Sequence, residues 1–405
     1  MSVGEQISSV QTQVPDQALK RLPQTNWRRL LGLHEMGVYY ALVLLITILA
    51  VTTTYVGQAN YLSVHNLTNV VYQSSLTALM AVAMTIVLIS GNFDLSVASV
   101  AAFAGVLLIG NADVIGFWPA MGLAMTAAIG LGLLNGVIVQ YVGINAFIVT
   151  LGTMTAVRGL ILLYTDGRSL SVSNPDVINV MKVFEGGSYN AFWAILAVGG
   201  LLLGLGVVSY LRGRMAGLAL RPSTLGMSIA GVVLLFLSWA SGGEFLVRNP
   251  VIYLAIFTSV VWFVLKYTKV GRRVYAVGGN PEAARLSGIN VKRYKLLAFV
   301  FCSAVAGFAG VLFASRLRSM NPAGLQGAEL TVIAAAILGG TSLFGGAGSV
   351  IKTLAGALLL YSLTNGFNIL NLGANWQGLI EGIVVVAAAA VYTIGDKRSR
   401  SKTSG

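Results

Sequence analysis

The sequence predicts an all-α integral membrane protein, a polytopic helical bundle of about twelve transmembrane segments with both termini in the cytoplasm. Composition is the first observation. Of 405 residues, 56% are hydrophobic and 10% are charged, whereas a soluble domain carries about 25% charged residues. Run length is the second, because several apolar stretches reach or approach the roughly 18–20 residues that cross a hydrocarbon core of about 30 Å. The third is where the charge sits. Of 26 Lys and Arg, 19 fall in four stretches, 20–29, 212–221, 266–295 and 397–402, as the positive-inside rule expects of cytoplasmic segments flanking spans. The net charge of +13 is therefore a topology signal and not a nucleic-acid footprint, since few aromatics interleave with it to stack bases.

In chain order, residues 1–36 form a polar, Gln/Ser-rich cytoplasmic tail. The first apolar run, from Val38, continues into a full-length span and does not read as a cleavable signal. A transmembrane domain follows over 37–395, and 396–405 is a basic tail. Spans are expected near 37–56, 67–89, 95–110, 119–141, 145–165, 191–211, 223–241, 251–267, 295–314, 329–343, 350–370 and 376–394. Those at 95–110 and 329–343 are short enough to be re-entrant or tilted pieces buried in protein, so ten to twelve full crossings are expected. An even number places both ends on one side, and the basic tails make that side cytoplasmic. The longest outer loop, 166–190, is either a docking face for an extracytoplasmic partner or a solvated connection. The 48 glycines include Gly132-Leu-Leu-Asn-Gly136, Gly200-Leu-Leu-Leu-Gly204 and Gly378-Leu-Ile-Glu-Gly382, spacings that let helices approach closely in lipid.

The cytoplasmic loop at 268–294 carries the sharpest local signal. Asn280 is a good N-cap, Pro281 suits the first turn, Glu282 complements the positive helix end and Gly288 supplies a left-handed stop. The result is a two-turn helix, too short to stand alone, which a cytoplasmic partner with a groove would hold. A second segment, from Glu329 to Gly348, pairs glycines after an apolar run, but Ile351 precedes Lys352-Thr353 and the phosphate-cradling Gly-Lys-Ser/Thr is absent. If transport is driven by ATP, the ATPase is another polypeptide. Asp94, Arg158 and Glu381 are ionisable groups in or beside spans, and burial of Asp94 and Arg158 would be offset if they paired. Asp94, Ser96, Thr150, Thr153, Arg158 and Glu329 are the candidates for a translocation path; Thr hydroxyls suit a neutral polyol, although they often bond their own helix backbone. No catalytic constellation appears. His34 and His65 lie near opposite ends of the first span, and Cys302 sits alone in an apolar run, so no metal site is expected.

Four blocks resemble one family. Ser90-Gly-Asn-Phe-Asp-Leu-Ser-Val-Ala-Ser99, Phe147-Ile-Val-Thr-Leu-Gly-Thr-Met-Thr-Ala-Val-Arg-Gly-Leu160, the stretch 271–289 and the stretch 329–348 are similar to the permeases of sugar-importing ABC transporters that serve ribose, arabinose, galactose and xylose. The order and spacing cover roughly residues 40–395. Asn92 and Ala98 stand where the family usually has glycine, and Asn145-Ala146 replaces a frequent proline pair. The resemblance implies a bacterial inner-membrane transport subunit that is not an enzyme and moves a monosaccharide by alternating access. It makes Asn280, Pro281, Glu282, Ala283, Ala284, Arg285, Leu286 and Gly288 a coupling helix seated in the ATPase. It also implies a second copy of this chain, ATP-binding domains that use ATP and magnesium, and a periplasmic or extracytoplasmic sugar-binding protein, with no cofactor on this chain. An extra apolar hairpin at about 191–241 resembles the longer xylose permeases, which favours D-xylose. Ribose, arabinose, galactose, an autoinducer or a nucleoside are alternatives, and an ion-coupled secondary transporter is a more distant one.

Overall fold

The computed structural model describes residues 33–57, 60–215 and 222–372, with four isolated positions beyond them. The expected last span at 376–394, Glu381 within it, and most of both tails lie outside the described residues. The chain is a bundle of helices: α1 (Leu33–Tyr55), α2 (Val64–Ile89), α3 (Val97–Ile115), α4 (Phe117–Val137), α5 (Ala146–Thr165), α6 (Pro175–Gly186), α7 (Phe192–Met215), α8 (Pro222–Ala240), α9 (Asn249–Tyr267), α10 (Lys269–Gly279), α11 (Pro281–Leu286), α12 (Val291–Leu317), α13 (Ala328–Leu338) and α14 (Val350–Ile369). Among the described residues nine helices are long and apolar enough to cross a membrane, and α8 and α13 are shorter apolar helices. Twelve full crossings are therefore not reached in this part of the chain. The 11 residues of α13 rise only about 16 Å against a core of about 30 Å, so α13 is a buried half-crossing.

The expected short span at 95–110 is corrected. α3 runs 19 residues to Ile115 and stops at Gly116, whose φ is +86°. Its last turn reads as loop because of Asn111 and Asp113, yet both belong to the helix and find partners. Asn111 donates to Leu107 O at 2.8 Å, and Asp113 accepts from Ser173 N, Ser173 Oγ and Asn174 N at 2.8, 2.7 and 3.1 Å. Those contacts organise the 166–190 segment, which is more than a plain connection. Asn174 caps α6 by accepting from Asp176 N at 2.9 Å, and Pro175 fills the first turn.

α2, α3, α12 and α14 form the inner layer, while α1 and α7 are exposed over most of their length. α4 crosses α12 where Gly132 and Gly136 abut Phe299, Ser303 and Leu296, close enough that a side chain at either glycine would displace α12. α7 and α8 pair as a hairpin on a closed neck: β2 (Ser188–Asn190) and β3 (Leu246–Arg248) are antiparallel, with Asn190 opposite Leu246. The chain thus leaves and re-enters the bundle at one point. A second ribbon joins β1 (Leu170–Ser171) to β4 (Ser319–Met320).

At the same end as that neck a buried ion pair ties three helices. Arg316 Nε donates to Glu185 Oε1 at 2.6 Å and Nη1 to Gln73 Oε1 at 2.8 Å, while Tyr72 Oη donates to Glu185 Oε1 at 2.7 Å. The guanidinium lies 4.1 Å over the Tyr72 ring, and Arg248 sits 4.2 Å over it as well. α2, α6 and α12 are locked through one carboxylate. Removing one member of such a pair leaves a buried charge unmatched and costs about 3–5 kcal/mol. Glu185→Ala is therefore expected to lower the unfolding temperature of the detergent-solubilised protein markedly, whereas Lys182→Ala, on the exposed side of α6, leaves it unchanged.

Candidate functional site

Between α2 and α3 the chain breaks at residues 90–96, where Gly91 takes φ +78°. Asp94 is fully buried in this break and accepts from Ser96 N at 2.9 Å and Ser96 Oγ at 2.5 Å. An Asp bonding the backbone two residues on is the turn its short side chain favours. Ser96 Oγ in turn accepts from Asn135 Nδ2 at 3.0 Å, and Thr153 Oγ1 donates to Asn135 Oδ1 at 2.6 Å. Asp94, Ser96, Asn135 and Thr153 thus form one buried chain across the break, α4 and α5. Asn135 is the member that the sequence analysis missed. Its signal was a lone amide in the middle of an apolar run.

The expected Asp94–Arg158 pair does not form. Asp94 accepts from Ser96, two residues on. Arg158 Nη1 instead donates to Gly324 O at 2.8 Å, and Glu329 opens α13. Thr150 Oγ1 donates to Ala146 O at 2.8 Å and Thr155 Oγ1 to Leu151 O at 3.0 Å, so both hydroxyls serve their own helix.

In front of the break lies a cavity of about 780 Å³. Asn92 and Phe93 from the break, Gln140 from the π-helical turn Ile138–Val142 after α4, Asn145 at the N-cap of α5, Lys295 in the first turn of α12, and Leu343 after α13 face it. Apolar walls with a few convergent amides are the usual make-up of a small-molecule site. None of Asp94, Ser96, Thr150, Thr153, Arg158 and Glu329 lines this cavity. Among the described residues no carboxylate lines the cavity and no three His, Cys, Asp or Glu gather as a metal site.

The cavity shares its end of the bundle with α11. Asn280 Oδ1 accepts from Ala283 N at 3.0 Å, Pro281 occupies the first turn, and the chain turns out after Ser287 at Gly288, φ +77°. Glu282 and Arg285 pair at 2.7 Å with both side chains exposed, and the carboxylate holds the Arg285 guanidinium above its ordinary value. Ala284 is buried against the bundle, whereas Leu286 is 79% exposed. The helix is seated on one face and offers a leucine and an ion pair on the other.

The sequence profile described as a branched-chain amino acid transport system permease component matches residues 66–389. The chain belongs to this family. It is 34% identical over 387 residues to the xylose transport system permease protein XylH of Escherichia coli K12, covering 91% of this chain and 95% of that one. To the XylH of Haemophilus influenzae it is 34% identical, covering 90% and 98% of the two chains. To the ribose import permease protein RbsC of E. coli K12 it is 32% identical, covering 87% and 92%. No solved structure matches the chain. It is a permease and not an enzyme, and a multi-pass protein of the inner membrane.

Asn135 is the one side chain that reaches both Ser96 and Thr153. Asn135→Leu leaves those hydroxyls with one partner fewer in a buried site, at about 1–3 kcal/mol. The expected outcome is a lower unfolding temperature in detergent, with Thr155→Val, whose hydroxyl serves only its own helix, close to wild type.

Proposed function

We propose that this chain is the membrane-spanning subunit of an ATP-driven importer for a monosaccharide, D-xylose first among them. The observation that carries the reading is α11: a capped six-residue helix with one buried face and an exposed leucine and ion pair, at the same end as the cavity. A helix this short is stabilised from outside, and a groove in a cytoplasmic ATPase would supply that contact. Asn280, Pro281, Glu282, Ala283, Ala284, Arg285, Leu286 and Gly288 then form the coupling surface. The sequence lacks a phosphate loop, so ATP and its magnesium act on that separate subunit. Lys352 and Thr353, the nearest approach to one, lie in α14, where Thr353 Oγ1 is 2.7 Å from Thr85 Oγ1.

In this reading two copies of the chain flank the pathway, both tails are cytoplasmic, and a soluble sugar-binding protein docks at the outer end beside α6. Neutral amides at the cavity suit a polyol. The hairpin α7–α8 on its β2–β3 neck, together with the near-complete coverage of two xylose permeases, favours xylose; ribose is the runner-up because the likeness to a ribose permease is nearly as great. Reconstituted vesicles holding the chain, its ATPase and its binding protein are expected to accumulate labelled xylose only with ATP. Glu282→Ala/Arg285→Ala should cut that uptake more than tenfold while the protein inserts normally. Uptake by the chain alone under an ion gradient would contradict the proposal, and accumulation of a different sugar would reassign the cargo.

A further inference from the structure

Two buried atoms of opposite charge stand without hydrogen-bond partners on α5 and α13. Arg158 Nη1 donates to Gly324 O at 2.8 Å, but Nη2 is buried and bonds nothing among the described residues. Glu329 lies in the first turn of α13, and its Oε2 is likewise buried and unbonded. The positive end of α13 favours a carboxylate there, yet it gives Oε2 no hydrogen. The bond to Gly324 brings the two residues together, because Gly324 and Glu329 belong to one coiled stretch. Gly324 N donates to Asn321 O at 2.8 Å, Ala328 N to Leu325 O at 3.2 Å and Leu330 N to Gly327 O at 3.2 Å. Glu329 is the charge that acts on the Arg158 guanidinium, but no ion pair closes between them.

An unbonded buried donor and an unbonded buried acceptor each cost free energy, so the gap between them lacks a third group. The pairing of charges restricts what fits. Arg158 repels a cation, Glu329 repels an anion, and an apolar group satisfies neither. A hydroxyl accepts from the guanidinium through its oxygen and donates its hydrogen to the carboxylate, so one O–H serves both atoms. Bonds of this charge-assisted kind are stronger than neutral ones.

The place is also open to a ligand. A methyl on Gly159, next to Arg158, or on Gly327, two residues before Glu329, would meet nothing within 4 Å. Thr155, one turn before Arg158, is exposed. α5 is long and apolar enough to cross a membrane, and Arg158 lies seven residues before its end at Thr165. Ionisable groups at such depth face the interior of a bundle or a water-filled space, because acyl chains cannot solvate them. The open side therefore faces water and not lipid. It is separate from the cavity described above. Ala146, in the cavity wall, and Arg158 are twelve residues apart on α5, roughly 18 Å of helix.

We propose that Arg158 and Glu329 form a hydroxyl-binding station for the monosaccharide, distinct from the cavity, in which one sugar O–H bridges Nη2 and Oε2. The station rests on the proposed function, in that the cargo is a sugar. It adds a second place at which the pathway recognises a neutral polyol.

The test titrates labelled D-xylose against the nucleotide-free complex of this chain with its ATPase in detergent, the binding protein omitted, and reads bound sugar alongside the unfolding temperature. Wild type is expected to bind D-xylose. Glu329→Gln keeps the shape and loses the charge, and Arg158→Lys keeps the charge and loses the fork. Each is expected to weaken binding at least tenfold per folded molecule. Equal affinity in wild type and both variants would overturn the station, as would binding lost only in proportion to folded protein. A complex that imports D-xylose with ATP yet binds none in this state would also overturn it, leaving water in the gap. Binding of ribose in place of xylose, with the same dependence on both residues, would uphold the station and change the cargo. A wild-type complex that neither binds nor imports any sugar would remove the proposed function, and the station with it.

Discussion

The hydrogen bond from Gly346 N to Ile89 O, at 2.8 Å, closes a constraint on which the rest of the bundle depends. Non-helical backbone at membrane depth survives only where protein satisfies its polar groups. Among the described residues two such interruptions face the cavity, 90–96 and 339–349. Each satisfies part of itself: Asn92 N donates to Val87 O, and Ser342 N to Ala347 O. Asp94 fixes the first break through Ser96, and Asn135 ties that turn to α4 and α5. The second break is held against the first by the bond from Gly346 N to Ile89 O. Because both breaks face the cavity, the requirement that forces them together also places their side chains around one space.

The ends of the bundle are built differently. At the end that carries α6, the contacts are long side chains and charge: Glu185 with Arg316 and Tyr72, and Asp113 with Ser173 and Asn174. At the cavity end they are glycines, amides and a short capped helix. Beside those glycines Val82, Ile89, Val274 and Val350 pack in one buried apolar cluster, so the two ends differ in charge.

Much of this was legible in the sequence because lipid imposes a length. An apolar run of about 20 residues has few structures open to it, so α1, α2, α4, α5, α7, α9, α12 and α14 fall close to their expected places. The cap-Pro-Glu pattern at Asn280 likewise states its own helix. What escaped was everything that depends on register between distant segments. Glu185 and Arg316 are 131 residues apart, and neither looks special locally. Asp94 and Arg158 invited pairing by charge, but Asp94 bonds Ser96 two residues on and Arg158 bonds Gly324 O, 166 residues away in sequence. Polar residues near a span end, Asn111 and Asp113, mimic a loop while belonging to α3. Glycine spacing misleads in the same way. Gly132 and Gly136 do face a neighbouring helix, whereas Gly200 and Gly204 face open space and the close approach of the hairpin falls at Gly199, Gly206 and Gly231.

The proposed function requires that the cavity wall formed by the two breaks respond to displacement of α11. It is tested most directly by a single cysteine at Phe93, in an otherwise cysteine-free chain, labelled with a membrane-impermeant maleimide from the cytoplasmic side of inside-out vesicles holding the complete importer. The account predicts that the labelling rate changes severalfold between the nucleotide-free complex and the ATP-bound complex held with a non-hydrolysable analogue. An equal rate in the two states, with the analogue shown to be bound, would contradict it.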